Sequence, residues 1–400
     1  MKRLPSIVAA LLVACGSDST SPKSSIGGVV IVSAGASSLH QQETTLAQSS
    51  GGRMVVVWIG FLDQTTTFAA TIEYVISDDA GKTWSKPAAV ALPPGFGILN
   101  DPALAVDATG DFTLAALAFD LPGQQPHSGV YVYSLPNGAE TFSAPAPVDT
   151  LQQSALLYYF DKPQITTTGS GLLVTYSLVG AGPGGVPTSK AGIAATSAAG
   201  GTWQHDTIAT NGPVSIALCP AGQSVTAIYL AATGGVWTTP SSDGGITWGS
   251  PAELDAGGTG ASMMPACARR ANDEWVLYGT SPSTIALAHS SDAGGHFSPV
   301  PIAINGSAGR AQLGLRDDGT IDLAFYNSNP TLSFGFVHAL LPPGSSALDA
   351  PEVLRAGIQI PQARQVQNGL ADFVGVVPGG IAFTDNSSGT SHIAFFRETP

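Results

Sequence analysis

Few side chains in this sequence could carry chemistry, since only 11% of its 400 residues are charged. Tyr159 with Asp101 or Asp161 could serve as nucleophile and acid, a pairing used in glycoside cleavage. The seven histidines lack the spacing of metal ligands, and no G-x-S-x-G elbow, H-E-x-x-H zinc motif or P-loop occurs. No metal site and no cofactor are therefore predicted, and any site must be assembled by the fold.

Aspartates recur in a repeated eight-residue motif, S-x-D-x-G-x-T-W. The two full copies consist of Ser77, Asp79, Gly81, Thr83 and Trp84, and of Ser241, Asp243, Gly245, Thr247 and Trp248. Such an aspartate can accept hydrogen bonds from backbone N–H groups just ahead of it, while the glycine takes a positive φ and the aromatic ring packs beside the turn. The motif therefore predicts a hairpin turn, and its aspartates are interpreted as structural.

Weaker copies of the motif extend the repeat along the chain. The segment from Ser290 to Phe297 keeps Asp292 and Gly294, whereas residues 196–203 and 134–142 are looser versions. The copies recur at roughly 45 to 60 residues, the spacing of propeller blades.

The motif resembles the Asp box of the sialidase superfamily, and the resemblance covers nearly all of the chain after residue 27. It implies a β-propeller in which each box joins the third and fourth strands of a blade, on the face opposite the active site. The superfamily contains sialidases and non-enzymatic relatives, and the resemblance fits both kinds of member.

The strand pattern between the boxes predicts the number of blades. A first strand, a tight turn and a second strand are clearest at residues 102–119. Equivalent pairs begin near Glu43, Lys162, Pro213, Met264, Arg310 and Asp372, which gives an all-β fold of seven blades. Residues 28–32 form a strand without a blade, and we expect it to complete the last blade and close the ring. Six blades remain the alternative, because residues 347–367 are poorly patterned.

First strands line the channel of a propeller, so their starts predict a site at the upper face. Charged residues occupy five of the seven equivalent starts, at Glu43, Asp101, Lys162, Arg310 and Asp372, and Tyr159 and Asp161 flank them. They could form a polar funnel that holds a ligand or an ion. Alternatively, they could solvate the channel entrance or pair with one another.

The family's enzymes differ from this chain at the residues that bind substrate. Sialidases clamp a carboxylate with three arginines, and here only Arg310 and Arg364 are predicted to reach the upper face. The leading hypothesis is therefore a propeller that binds a glycan or protein ligand without catalysis. The rivals are a divergent exo-α-sialidase or other glycoside hydrolase, and a structural lipoprotein of the envelope.

The first residues resemble a bacterial lipoprotein signal. Residues 1–15 combine two basic residues, a short apolar run and a lipobox, Leu12-Val13-Ala14-Cys15, so that Cys15 is the predicted lipidation site. Residues 16–27 predict a flexible tether and residues 28–400 a single propeller domain. The predicted partner is a membrane, reached through the lipid, and the location is the bacterial cell envelope. Gly16 favours the outer membrane.

Charge and cysteine content complete the sequence-based predictions. A net charge of −13 would repel phosphate backbones, so no nucleic acid partner is predicted. Cys219 and Cys267 lie near the ends of first strands in neighbouring repeats. Export permits a disulfide between them, and two buried thiols are the alternative.

Overall fold

The computed structural model describes residues 25–397, apart from residues 27, 63–69, 121–127, 152–157, 182–186, 199–200, 233, 257–263, 282–283, 301, 303, 305–306, 329–334, 346 and 360–372. Over the described residues the chain forms seven antiparallel sheets arranged as a β-propeller. The predicted all-β fold and the count of seven blades are confirmed, and the six-bladed alternative is wrong. Cys15 lies outside the described residues. Within them, no helix is long and apolar enough to cross a membrane.

The chain enters the propeller through two short strands and then builds six blades of four strands each. The entering strands are β1 (Ser25–Ile26) and β2 (Val29–Ile31). Blade 1 consists of β3 (His40–Gln48), β4 (Met54–Phe61), β5 (Ala70–Ser77) and β6 (Ala88–Ala89). Blade 2 consists of β7 (Ile98–Val106), β8 (Phe112–Phe119), β9 (Ser128–Leu135) and β10 (Ala146–Leu151). Blade 3 consists of β11 (Tyr159–Thr168), β12 (Gly171–Ala181), β13 (Pro187–Ser197) and β14 (Gln204–Ala209).

The remaining blades follow the same plan until the last one. Blade 4 consists of β15 (Pro213–Ala221), β16 (Ser224–Ala231), β17 (Val236–Ser241) and β18 (Ala252–Asp255). Blade 5 consists of β19 (Ala266–Arg270), β20 (Asp273–Ser281), β21 (Thr284–Ser290) and β22 (Ser298–Val300). Blade 6 consists of β23 (Ser307–Leu315), β24 (Ile321–Ser328), β25 (Gly335–Leu341) and β26 (Glu352–Ala356). Blade 7 contains β27 (Gly375–Val377), β28 (Gly380–Asp385) and β29 (His392–Arg397).

The ring closes through the N-terminal strand, as the sequence predicts. Strand β2 pairs with β29 in the register Val29↔Phe396 and Ile31↔Ala394, and thereby supplies the fourth strand of blade 7. Strand β1 pairs with β2 and adds a fifth strand, so regular pairing begins at Ser25, within the segment predicted to be a tether. Closure removes the exposed edge that a three-stranded last blade would leave.

A buried carboxylate fixes the segment that leads from the closing strand into blade 1. The Glu73 side chain accepts hydrogen bonds from the backbone N–H and hydroxyl groups of Ser37 and Ser38, and from the Trp58 indole N–H at 3.1 Å. Glu73 is 1% exposed and lies in strand β5, in which seven of the eight residues are buried. Because a buried carboxylate must be matched by donors, this cluster ties β2 to the first full blade.

Apolar residues on both faces of the inner strands hold the blades together. All eight residues of β4 are buried, because a neighbouring blade covers each face of its sheet. One core cluster joins Val55 and Tyr74 of blade 1 to Leu114 and Tyr133 of blade 2. Equivalent clusters fill the other seams, so packing between blades supplies the core.

The Asp boxes form the lower turns between third and fourth strands. In the first box the Ser77 hydroxyl donates to Asp79 at 2.8 Å, and Asp79 accepts from the backbone N–H and hydroxyl of Thr83 at 2.8 and 2.7 Å. The box beginning at Ser241 repeats this network, and the box beginning at Ser290 replaces the threonine with His296. These aspartates are satisfied within the turns.

A disulfide joins two neighbouring blades. Cys219 of β15 and Cys267 of β19 are bonded, with an S–S distance of 2.04 Å and a Cα–Cα distance of 5.7 Å. The bond therefore links the first strands of blades 4 and 5 covalently.

A substitution at Gly81 tests whether the first Asp box of blade 1 packs closely against blade 7. A Cβ at Gly81 would lie 2.5 Å from the Phe395 ring of blade 7, whereas a Cβ at Gly95 would meet no atom within 4 Å. Both glycines have positive φ, 81° and 87°. We expect Gly95→Ala to lower the free energy of unfolding by about 1 to 2 kcal/mol. Gly81→Ala should lower it by about 1 to 3 kcal/mol more, because the Phe395 side chain must move.

The measurement is urea unfolding of both variants, monitored by circular dichroism. Equal losses at the two glycines would contradict the proposed contact between the box and Phe395.

Candidate functional site

Four first strands carry the same backbone irregularity near their upper ends. The pairing of β3, β7, β11 and β23 with their second strands skips two residues, and the first skipped residue is Glu43, Asp101, Lys162 or Arg310. Each has φ between 48° and 51°, a left-handed conformation that costs non-glycine residues energy. Such bulges redirect side chains and occur often beside functional sites.

The upper end is opposite the Asp boxes because of the strand order. Strand β3 runs down to the turn at Ser49–Arg53, and Met54 at the start of β4 pairs with Ser77, which begins the first box. The bulge at Glu43 is near the other end of β3. The structure therefore places these four charged residues away from the boxes, at the predicted face.

The sequence also aligns Pro213, Met264 and Asp372 with these four residues, and none of the three is a bulged residue of the described strands. In β15 the skipped residues are Val214 and Ser215, so the alignment to Pro213 is wrong by one residue. Met264 precedes β19 and lies outside its pairing with β20. Asp372 falls outside the described residues. Strand β15 thus contains the same two-residue bulge as the other four strands, one residue later than the sequence alignment predicts.

The Lys162 amine brings several blades together at the channel mouth. Its Nζ lies 3.6 Å from Asp101 Oδ1 of blade 2 and 4.0 Å from Glu43 Oε2 of blade 1. It also lies 5.1 Å from the centroid of the Phe373 ring, which precedes the first strand of blade 7. Lys162 itself belongs to blade 3, so groups from four blades meet around one ammonium.

This cluster, here called the Lys162 cluster and made of Glu43, Asp101, Lys162 and Phe373, is largely enclosed. The side chains of Lys162, Asp101 and Glu43 are 13%, 11% and 18% exposed. Ion pairs with so little solvent are stronger than surface pairs, and they leave a large penalty when one partner is lost. Three of the five charged residues predicted at the channel mouth, Glu43, Asp101 and Lys162, thus pair with one another.

Asp161 lies next to this cluster and is held partly protonated. Burial raises the pKa of its carboxyl to about 7, the negative charge and hydrogen bond of Asp101 act in the same direction, and Lys162 opposes them. The Asp161 carboxyl can therefore hold a proton near neutral pH.

Tyr159 lies beside the same carboxyl groups but is poorly suited to act as a nucleophile. Burial raises the pKa of the Tyr159 phenol, and the negative charges of Asp161 and Asp101 raise it further. A phenol nucleophile instead needs an environment that favours its ionised form. Its ring packs edge-on against Phe119, at 6.4 Å between centroids.

Most arginines of the described residues are committed to the lower turns or outer strands. Arg53 pairs with Asp78 at 3.1 Å, Arg316 with Asp322 at 2.5 Å, and Arg355 with Asp385 at 2.6 Å. Arg310 is on a first strand near its upper end, and Arg364 lies outside the described residues. Within the described part of the chain, no three guanidinium groups converge at the upper face.

Phe373 was missed by the sequence analysis. It directly follows Asp372, and an aromatic residue at the start of the last blade was the available signal. The sequence also gave no sign that Lys162 reaches residues of three other blades, because this contact depends on the curvature of the closed ring.

Removing the Lys162 amine should expose the energetic importance of this cluster. Lys162→Met leaves Glu43 and Asp101 close together without their shared cation. We expect the free energy of unfolding to fall by about 2 to 4 kcal/mol in urea titrations at neutral pH. Lys86→Met, at an exposed lysine, is the control and should change it by no more than about 0.5 kcal/mol. Equal effects of the two substitutions would refute an enclosed ion pair.

The shifted pKa of Asp161 predicts a pH dependence of stability. Its folded pKa of about 7 exceeds the ordinary value of 3.8, so between these limits the folded state retains a proton that the unfolded chain releases. Stability from this residue is therefore present at low pH and is lost as pH rises through the window. Asp161→Asn has no proton to lose at this position. The free energy of unfolding of the variant, relative to wild type, should therefore increase as the pH rises from 4 to 8.

The measurement is urea unfolding of both proteins at several pH values. The gain should not exceed about 1.4 kcal/mol per pH unit. A difference that stays flat across the range would contradict the shift.

Comparison with known proteins shows which solved structures share this fold. No protein-family model and no curated protein matches the sequence. The Hadza microbial sialidase Hz136 superposes with a TM-score of 0.55 over 74% of this chain and 66% of its own length, at 15% identity. A protein of unknown function from Dyadobacter fermentans DSM 18053 superposes with a TM-score of 0.55 over 79% of this chain and 99% of its own, at 16% identity.

This chain thus spans slightly less than two thirds of that sialidase. At these identities the similarity concerns the fold alone. The chain has a sialidase-like, seven-bladed β-propeller fold.

Proposed function

We propose that this chain is a cell-envelope lipoprotein whose sialidase-like propeller binds a glycan or protein ligand at its upper face without catalysis. The observation that carries the proposal is the Lys162 cluster, in which the ammonium at the channel mouth is already held by Glu43 and Asp101. A cation committed in this way contributes little to a substrate clamp. The cluster instead provides a fixed polar surface on which a ligand can bind.

The charge balance of the site argues against an anionic sugar as the preferred ligand. Glu43, Asp101 and Asp161 surround one ammonium, and the chain as a whole has a net charge of −13. A sialic acid carboxylate would meet a negative rather than a positive potential near this cluster. Neutral glycans and basic or polar protein segments suit it better.

The proposed location depends on the lipobox. Lipidation at Cys15 would anchor the chain to a bacterial membrane, with the outer membrane favoured by Gly16. Residues 16–24 would then connect the anchor to β1, where regular pairing begins at Ser25.

A divergent exo-α-sialidase is the second candidate function. It is favoured by the superposition on the Hadza microbial sialidase and by the placement of Tyr159 beside Asp101 and Asp161. The protonated state of the Tyr159 phenol argues against it.

Binding and turnover by the purified full chain separate the two functions. On a glycan array and in a fluorogenic sialoside assay, we expect binding to one glycan class and no hydrolysis. Arg310→Ala should weaken that binding about tenfold or more, because hydrogen bonds from a charged donor at the upper face are lost. Arg397→Ala, at the far end of β29, is the matched control.

Two outcomes would overturn the proposal. Sialoside hydrolysis that Arg310→Ala abolishes would establish the enzyme. An array with no signal, together with no captured protein ligand, would favour a structural lipoprotein of the envelope.

A further inference from the structure

A pocket opens on the lower face at the seam between blades 5 and 6. Its volume is about 330 Å³, and it is bounded by the hairpin between β19 and β20, by β21 and by the lower turns of blade 6. The lining residues that matter here are Arg270, Asp273, Trp275, His289, Asp318 and Gly344, and together they are called the seam pocket. The Lys162 cluster lies at the opposite end of the blades.

Two stacked rings form one wall of the seam pocket. The rings of Trp275 and His289 lie 4.3 Å apart between centroids and 25° from parallel. His289 Nε2 lies 3.2 Å from Asp273 Oδ1, which holds the imidazole in place against the indole. Both rings are partly exposed. Because the two rings face each other, what the pocket offers a ligand is an outer face of the stacked pair, supported by the second ring behind it.

The fold does not require aromatic or polar residues at this position. Trp275 and His289 form a cross-strand pair next to the pair that contains the box serine, Ser290. The corresponding pair in blade 1 is Val55 and Ile76, and both of its side chains are buried. An apolar pair is therefore sufficient for blade packing, and the Trp–His pair needs another explanation.

Blade 6 covers this wall only in part. It contributes Leu315 and Asp318 to the pocket, together with the small or rigid residues Gly319, Pro343 and Gly344. Trp275 packs with one side against the apolar core of this seam and stays partly exposed on the other. In the seam between blades 1 and 2, by contrast, the aromatic rings that line a pocket are Tyr74 and Trp84, which are only 2% and 6% exposed.

Charged groups border the aromatic wall. Arg270 is exposed at the end of β19, Asp273 is 60% exposed, and Asp318 lies in the turn between β23 and β24. A guanidinium group offers several hydrogen-bond donors and carboxylates offer acceptors, a combination that matches the hydroxyl groups of a sugar. The two carboxylates disfavour an anionic ligand.

We propose that the seam pocket binds a sugar ring of a neutral glycan. The apolar C–H face of a pyranose would stack on an exposed outer face of the Trp275–His289 pair, and its hydroxyl groups would bond Arg270, Asp273 and Asp318. The volume of about 330 Å³ is at the small end of ligand pockets and suits one or two rings. This site is independent of the ligand site proposed at the upper face.

Saturation-transfer NMR on the purified full chain tests the proposal with three neutral probes, cellotriose, maltotriose and chitotriose. We expect at least one to bind, with saturation transferred to its C–H protons and quenching of tryptophan fluorescence. Trp275→Ala should weaken that binding about tenfold or more, whereas Trp275→Phe, which keeps a flat ring, should stay within about threefold.

A second variant covers the case in which Trp275→Ala fails to fold. Arg270→Ala alters an exposed side chain, should leave the melting temperature unchanged and should weaken binding about tenfold. Lys86→Met alters an exposed lysine of blade 1 and should leave trisaccharide binding as it is. The proposal is overturned if none of the three probes binds. It is also overturned if Arg270→Ala binds them as tightly as Lys86→Met does, or if a folded Trp275→Ala does so.

Discussion

The pairing of β2 with β29 is the constraint on which the rest of the structure depends. Blade 7 has three strands of its own, and the fourth comes from the other end of the chain. The hydrogen bonds of Glu73 to Ser37 and Ser38 then fix the path from that strand into β3. Closing the ring in this way sets the distance between blade 7 and blade 1, and packing of Met54 and Trp84 against Phe395 holds the same seam.

The channel mouth depends on the same closure. Glu43 follows the closing segment within β3, and Phe373 precedes β27 on the other side of the seam. Lys162 contacts both, from blade 3. An ammonium on a flexible stem can be enclosed only if its carboxylate partners and the aromatic ring are held in place beforehand, since their fixed position reduces the entropy lost on pairing. Ring closure therefore preorganises the charged residues of the upper face.

The sequence predicted the features that depend on local patterns. Each Asp box contains its own hydrogen-bond network within eight residues, so Ser77, Asp79 and Thr83 could be recognised without knowledge of the fold. The alternating strands gave seven blades, and the unpaired strand at residues 28–32 gave the closure. Contacts across the channel could not be predicted, because they depend on blade curvature and on bulges. The contact of Lys162 with the Phe373 ring shows this, since it joins blade 3 to the start of blade 7.

The closing strand has a mechanical consequence. Strand β1 pairs with β2 only through Ser25 and Ile26, and it is the segment with which the described part of the chain begins. Tension applied to that segment would act first on two residue pairs of β1 and next on three pairs between β2 and β29. The disulfide between Cys219 and Cys267 lies in blades 4 and 5, far around the ring, and cannot share this load. A surface on which the chain is tethered would thus pull on the same strand that keeps the ring shut.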